Sequence, residues 1–358
     1  MQEVYFNMWQ KILFGSPKLL AWILEKYDFN AKEAWKDFSP SIIENAHRET
    51  IEAIQRAQVA ADPQREYDNM RELGMDILPI TARDYPENLK NLSVPPVSLY
   101  YKGSLKCATK PCIAIVGTRK ISSYGRKTVR KLIEELSSYD ITIISGLAYG
   151  IDAHAHTLST ESSLTNIAVL ANGLDKLYPE PHTNLAANII KKGGAVISEA
   201  PPFVPAEKFM FPIRNRIIAG LAHAVVVAEA PRKSGALITA NYAFHENRLV
   251  YAIPGDITDY RQEGCHNLIK SEQAVLLTDA SQIIGDLKLT TLNLTTKAKE
   301  IAQNQVKILN LLDRTKPVHI EKITGQTGIP ARKLVGQLME LEIAGHIKNI
   351  GAMRYIRT

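Results

Sequence analysis

From Cys112 onward the sequence repeats one alternation, a short run of apolar, largely β-branched residues followed by an amphipathic stretch of helical length. The runs are Cys112–Val116, Ile141–Ile144, Asn166–Leu170, Ala195–Ile197, Ala224–Val227 and Leu249–Ala252. Within each run the apolarity is continuous, which suits a strand only when both of its faces are covered. Buried strands alternating with helices predict an α/β fold, a doubly wound and mostly parallel sheet with helices on both faces.

At 358 residues the chain is long enough for two domains and a small third. Residues 1–70 read as an N-terminal helical domain of helix-hairpin type, with Leu19, Leu20, Ile23 and Leu24 at helical spacing and Gly15-Ser16-Pro17 as a break. Its first 60 residues hold seven basic and eight acidic side chains and carry no electrostatic bias. Residues 75–287 are the sheet domain, opening with strand-like runs at Met75 to Ile80 and Ser98 to Lys102. A Thr-rich linker is expected over 288–302. Residues 303–358 follow the order of a winged helix, three helices and then a hairpin turning at Gly351. Nine basic against four acidic residues there suit contact with duplex DNA, and a protein contact fits the order equally well. No signal-like opening and no apolar stretch near the roughly 18 residues of a membrane helix occur, so a soluble, cytoplasmic protein without a membrane partner is expected. Cys107, Cys112 and Cys265 match neither a disulfide framework nor a zinc pattern and are expected to be structural thiols.

Open parallel sheets bind ligands beyond the carboxyl ends of their strands. The residues at those places are Gly117-Thr118-Arg119-Lys120, Ser145-Gly146, Asn172-Gly173, the segment from Lys208 through Phe211 to Arg214, Asn215 and Arg216, and Lys233-Ser234-Gly235. Small residues at helix starts leave backbone N–H groups for anionic oxygens, and the cations make the same crevice a polyanion site. Between Tyr101 and Lys131 nine basic residues occur without an acidic one, bracketing the loop after the first parallel strand. Phe211 between Lys208 and Arg214 adds a ring on which a base can stack, the combination that holds single-stranded nucleic acid. Neither G-x-x-x-x-G-K-[ST] nor G-x-G-x-x-G occurs, which disfavours an ATPase or an ordinary dehydrogenase, and no cofactor is called for. Asp152, His154 and His156 lack a further ligand for a metal and are read as helix-start packing. Glu199 and Glu229 are read first as ion-pair partners of the basic loops and second as an acid or base.

At these residues the sequence resembles the DNA-processing protein A family, also called DprA or Smf. The matching motifs are Tyr85-Pro86-x-x-Leu89, Pro95-Pro96-x-x-Leu99-Tyr100-x-x-Gly103, Ile115-Val116-Gly117-Thr118-Arg119, Ser145-Gly146-Leu147-Ala148-Tyr149-Gly150-Ile151-Asp152, Gly173-Leu174-Asp175-x-x-Tyr178-Pro179, Ser198-Glu199, Phe211-Pro212-x-Arg214-Asn215-Arg216, Ser234-Gly235-Ala236-Leu237-Ile238-Thr239-Ala240 and Ile253-Pro254-Gly255. The resemblance implies an extended Rossmann-like domain that dimerises, binds single-stranded DNA and helps load the RecA recombinase during natural transformation, without being an enzyme. It implies that Arg119 contacts DNA, that Lys208 and Phe211 hold a base, that Arg214 and Arg216 complete a positive pocket, and that amides near Ser145-Gly146 and Ser234-Gly235 accept phosphates. The chain departs from the family pattern at Val94, His266 and Gln273. Two other functions compete with this one. One is a nucleotide or nucleoside-phosphate hydrolase of the lysine-decarboxylase-like type, using Glu199 or Glu229. The other is a winged-helix transcriptional regulator with a nucleotide-sensing sheet.

Overall fold

In the computed structural model, residues 2–39, 48–291, 304–313, 316–343 and 345–358 are described. Residues 292–302 of the expected linker, and residue 303 at the start of the expected winged helix, lie outside them. Nine strands form one sheet: β1 (Asp76–Pro79), β2 (Ser98–Gly103), β3 (Cys112–Gly117), β4 (Thr142–Ser145), β5 (Thr165–Leu170), β6 (Ala195–Ser198), β7 (Ala224–Glu229), β8 (Leu249–Ala252) and β9 (Val275–Leu276). Their spatial order is β1-β2-β6-β5-β4-β3-β7-β8-β9. From β6 to β9 every pairing is parallel, while β2 runs antiparallel to both β1 and β6. All six predicted parallel strands are present. Only β9 escaped the sequence reading, because two half-exposed residues carry no periodic signal.

The chain winds outward from β3 through β4, β5 and β6, then returns to the other side of β3 and continues through β7 and β8. Successive residues of β3 divide between the two faces. Ala114 and Val116 pack toward helices α10 (Met210–Leu221) and α11 (Gly235–His245), whereas Ile113 and Ile115 pack toward α7 (Ser123–Leu136) and α8 (Ile151–Glu161). A strand apolar at every position is thereby used completely, which is why its sequence does not alternate.

The N-terminal helices belong to the same compact unit as the sheet, which spans residues 1–289. Phe6 and Trp9 of the first helix (Gln2–Leu13) share a core with Ile77, Tyr100, Leu170 and Val196. That helix is buried around much of its circumference, Asn7 and Gln10 included. Both polar side chains are satisfied across the interface. The Tyr100 hydroxyl donates to Asn7 Oδ1 at 2.9 Å, and Gln10 Nε2 donates to the Glu199 carbonyl at 2.9 Å. Burying apolar surface there is worth roughly 25 cal/mol per Å², and the paired amides avoid the cost of unsatisfied polar groups.

Residues 290–358 form a second compact unit with a winged-helix fold. A helix at 304–311 and helices Ile320–Thr327 and Ala331–Ile343 precede a hairpin of β11 (Ile347–Asn349) and β12 (Arg354–Arg357), and β10 (Val318–His319) adds to β12 as a third strand. Ile308, Ile323, Leu334, Leu338 and Tyr355 fill its core. Among the described residues no helix is long and apolar enough to cross a membrane.

Candidate nucleic-acid interface

Because the winding reverses between β3 and β7, the loops leaving their carboxyl ends diverge and open a crevice. A cavity of about 670 Å³ lies there, lined from five loops: Gly117, Thr118 and Arg119 after β3, Ala148 and Asp152 after β4, Tyr178 after β5, Lys208, Phe211, Arg214 and Asn215 after β6, and Lys233, Ser234 and Gly235 after β7. Backbone bonds set the first loop. Thr118 donates its N–H to the Glu229 carbonyl at 2.7 Å and accepts from Ile151 N–H at 3.1 Å, leaving Arg119 exposed at the rim. Gly150, at φ +81°, must be glycine, since an added Cβ would come within 2.2 Å of the Thr118 carbonyl.

Phe211 has two guanidinium groups close to its ring, with the Arg119 carbon 5.2 Å and the Arg214 carbon 5.9 Å from its ring centre. Tyr178 meets the same ring at 5.9 Å, inclined by 55°. Arg119 and Lys208 are exposed, whereas Arg214 is buried beneath, donating to the Gly146 carbonyl at 2.9 Å and to the Val169 carbonyl. Asp152 is buried too and accepts the Gly146 N–H at 3.1 Å. Burial pushes its carboxyl up to about 6, against the pull of the Arg214 charge and the Gly146 bond. Burial likewise lowers Arg214 to about 10, so it stays cationic at neutral pH. Ser234 caps α11, accepting the Ala236 N–H, and the positive end of that helix dipole faces the cavity. Asn215 donates to the Gly235 carbonyl at 3.2 Å and ties α10 to the same place.

Other expected residues are placed elsewhere. Arg216 does not line the cavity. Its Nη2 meets Glu199 Oε1 at 2.5 Å in a nearly buried ion pair, because residues two apart on a helix cannot share a face. Gly146 gives its N–H to Asp152 and lies so close to Arg214 that a Cβ would come within 2.6 Å of the guanidinium. Ser145 is buried, its hydroxyl donating to the Ile115 carbonyl at 2.7 Å. Lys120 is exposed outside the cavity lining. Of the nine cations between Tyr101 and Lys131 only Arg119 reaches the cavity, and Lys110 and Lys131 pair with Asp140 and Glu135. Among the lining residues given no DNA-binding role in the sequence are Tyr178 and Asp152, and Lys233 was named there only as a residue following a strand. Lys233 lies four residues after the end of β7, Tyr178 lies in the Gly173-to-Pro179 motif, and Asp152 closes the Ser145-to-Asp152 motif. Position after a strand was the usable signal for all three.

The two carboxylates of the competing hydrolase reading are held away from the cavity. Glu229 is fully buried, and its Oε2 accepts both the N–H and the hydroxyl of Ser122, the capping residue of α7, at 3.1 and 3.0 Å. Neither Glu229 nor Glu199 lines the cavity. His154 meets the Arg126 carbonyl and His156 is buried against Asn166. His266 bridges to the Gly255 carbonyl at 3.2 Å and so holds the Ile253-Pro254-Gly255 loop.

A family model described as DNA recombination-mediator protein A matches residues 76–288, and one for the DprA winged helix domain matches residues 295–351. The chain belongs to the DNA recombination-mediator protein A family. Its relatives include the Smf protein of Synechocystis, 31% identical over 99% of both chains, and that of Escherichia coli, 37% identical over 76% of this chain and 74% of the relative. The crystal structure of DprA from Streptococcus pneumoniae superposes with a TM-score of 0.67 at 31% identity, covering 80% of this chain and 98% of the other. The Helicobacter pylori DprA structure, described for its single-stranded DNA binding mode, gives 0.53 at 26% identity, covering 60% and 95%. The DprA fold thus spans the sheet that carries the cavity.

Proposed function

We propose that this DprA family member is a non-enzymatic mediator that binds single-stranded DNA in the cavity after β3 and β7. The carrying observation is the Phe211 ring with the Arg119 and Arg214 guanidinium carbons 5.2 and 5.9 Å from its centre, in a cavity that Lys208 and Lys233 also line. Cations neutralise backbone phosphates while a ring takes a base, whatever its identity. Asp152 is the lone carboxylate of the described lining, and it is buried and bonded, so the cavity has the groups to bind a polyanion and lacks an acid and base pair to cleave one. The single-stranded DNA binding mode described for the Helicobacter pylori relative supports the same ligand. Family membership further supports a role in the cytoplasm during natural transformation, in which a homodimer protects the incoming strand and helps load RecA. The winged-helix unit is read as a protein contact, since Val335 and Met339 are exposed on its third helix where a duplex reader would carry polar groups.

A salt-titrated gel shift tests the assignment. Affinity for single strands should fall with salt at a log–log slope of about −0.7 per phosphate neutralised. Arg119→Glu should weaken binding to every sequence and flatten that slope. Phe211→Ala should cost roughly 1–3 kcal/mol and leave the slope intact, since stacking releases no counterion. Wild-type affinity in both variants would refute the site.

A further inference from the structure

Phe203 sits in the loop between β6 and α10, 70% exposed as a residue and with its backbone at φ +68°. A bulky residue in the left-handed region is a genuine outlier, and an outlier held firmly in place points to use. The hold is explicit. Asp175 Oδ1 accepts the Phe203 N–H at 2.7 Å, and the neighbouring Val204 carbonyl accepts the Gly173 N–H at 3.0 Å, so the loops after β5 and β6 are stitched together around this residue. The ring is therefore presented to solvent by a fixed backbone. Its sequence neighbourhood belongs to the cavity. Ala206, three residues on and within about 11 Å along the chain, lines the cavity, as does Tyr178, three residues beyond Asp175. Phe209 and Tyr178 are also exposed, at 58% and 45%. Tyr178 shares the cavity lining with the cations Arg119, Lys208 and Lys233, and exposed rings on the loops leading into such a cavity fit nucleobases on a phosphate backbone better than they fit an apolar protein face.

We propose that Phe203 is a second base-stacking platform, which takes a base of the same single strand whose neighbouring segment occupies the Phe211 cavity. The proposal rests on the single-stranded DNA reading of that cavity. It makes the bound strand longer than the cavity alone accommodates, with one stacking position in the loop after β6 and the other, Phe211, in the first turn of α10.

The test uses the full chain with oligothymidylates of about four and about twenty nucleotides, bracketing a single-fold site. Phe203→Gly should weaken binding of the longer strand roughly five-fold or more while leaving the shorter strand and the salt slope unchanged. Its melting temperature should be equal or higher, because glycine adopts this φ freely. Phe203→Trp should restore affinity, and the longer strand should quench its fluorescence. Unchanged affinity of Phe203→Gly for the longer strand overturns the proposal, as does an equal loss with both lengths, which would put the ring inside the cavity. Arg119→Glu, run alongside, weakens both lengths if the cavity reading holds. Wild-type binding there condemns the cavity reading separately, whatever Phe203 does.

Discussion

Arg214 and Arg216 are two positions apart on α10, yet one underlies the cavity and the other closes an ion pair with Glu199. Composition alone counts them as equal cations, and only the helical turn separates them. A similar opposition lies on α8, where Asp152 and His156 are one turn apart and both buried. Burial raises Asp152 to about 6, so the folded state binds its proton more tightly than the unfolded chain does. The stability this contributes is present below its ordinary value of 3.8 and is lost as pH rises through 6. His156 is lowered to about 4 by burial, so it stays neutral in the fold while the unfolded imidazole protonates, and stability is lost as pH falls from its ordinary 6.5 toward 4. In that window the two slopes oppose each other and largely cancel. Asp152→Asn should therefore unmask the histidine. Unfolding free energies from urea titrations at pH 7 down to 4 should fall by about 3 kcal/mol more in the variant than in the parent. A variant as flat as the parent would contradict the opposed pair.

The loop after β6 is long and has no regular structure of its own, so it needs attachment at the level of elements. Glu199 at its start holds Arg216 on α10, and Gln10 of the first helix donates to the Glu199 carbonyl. Both charged groups are nearly buried, so removing one strands the other. Glu199→Ala should cost roughly 3–5 kcal/mol in chemical denaturation, whereas Glu199→Leu combined with Arg216→Met should recover most of that loss. An additive double variant would deny the coupling. This pairing was half legible: Glu199 and Arg216 were both visible as charges after strands, and the reading that carboxylates anchor basic loops favoured it. The partner could not be read, because the two lie 17 positions apart across a loop whose path depends on packing. The strands were far more legible, since continuous apolar runs report double burial residue by residue. Edge strand β9, short and half exposed, carried no such report.

Across the whole molecule, the boundary at residue 289 and the shared core of the N-terminal helices make opposite predictions for truncation. Residues 1–289 should fold cooperatively and keep the single-strand affinity of the full chain in a gel shift. Residues 75–289 should not fold stably, as judged by circular dichroism and melting, because Ile77, Tyr100, Leu170 and Val196 would lose the cover of Phe6 and Trp9. A stable, strand-binding 75–289 fragment would show the helices to be dispensable. The sequence read as a separate helical domain because its pattern is amphipathic helix throughout, and a pattern records that a face is buried without naming what buries it. By itself the sequence determined the element order, the parallel sheet, the winged helix and the set of loops able to carry a site, since burial and turn chemistry are written locally. Only the tertiary structure decided that winding reverses between β3 and β7. That reversal selects which of those loops open into one cavity, which brings both Arg119 and Arg214 to Phe211 and turns Arg216 and Gly146 to internal bonds. Strand order arises from long-range packing, and no residue states it alone.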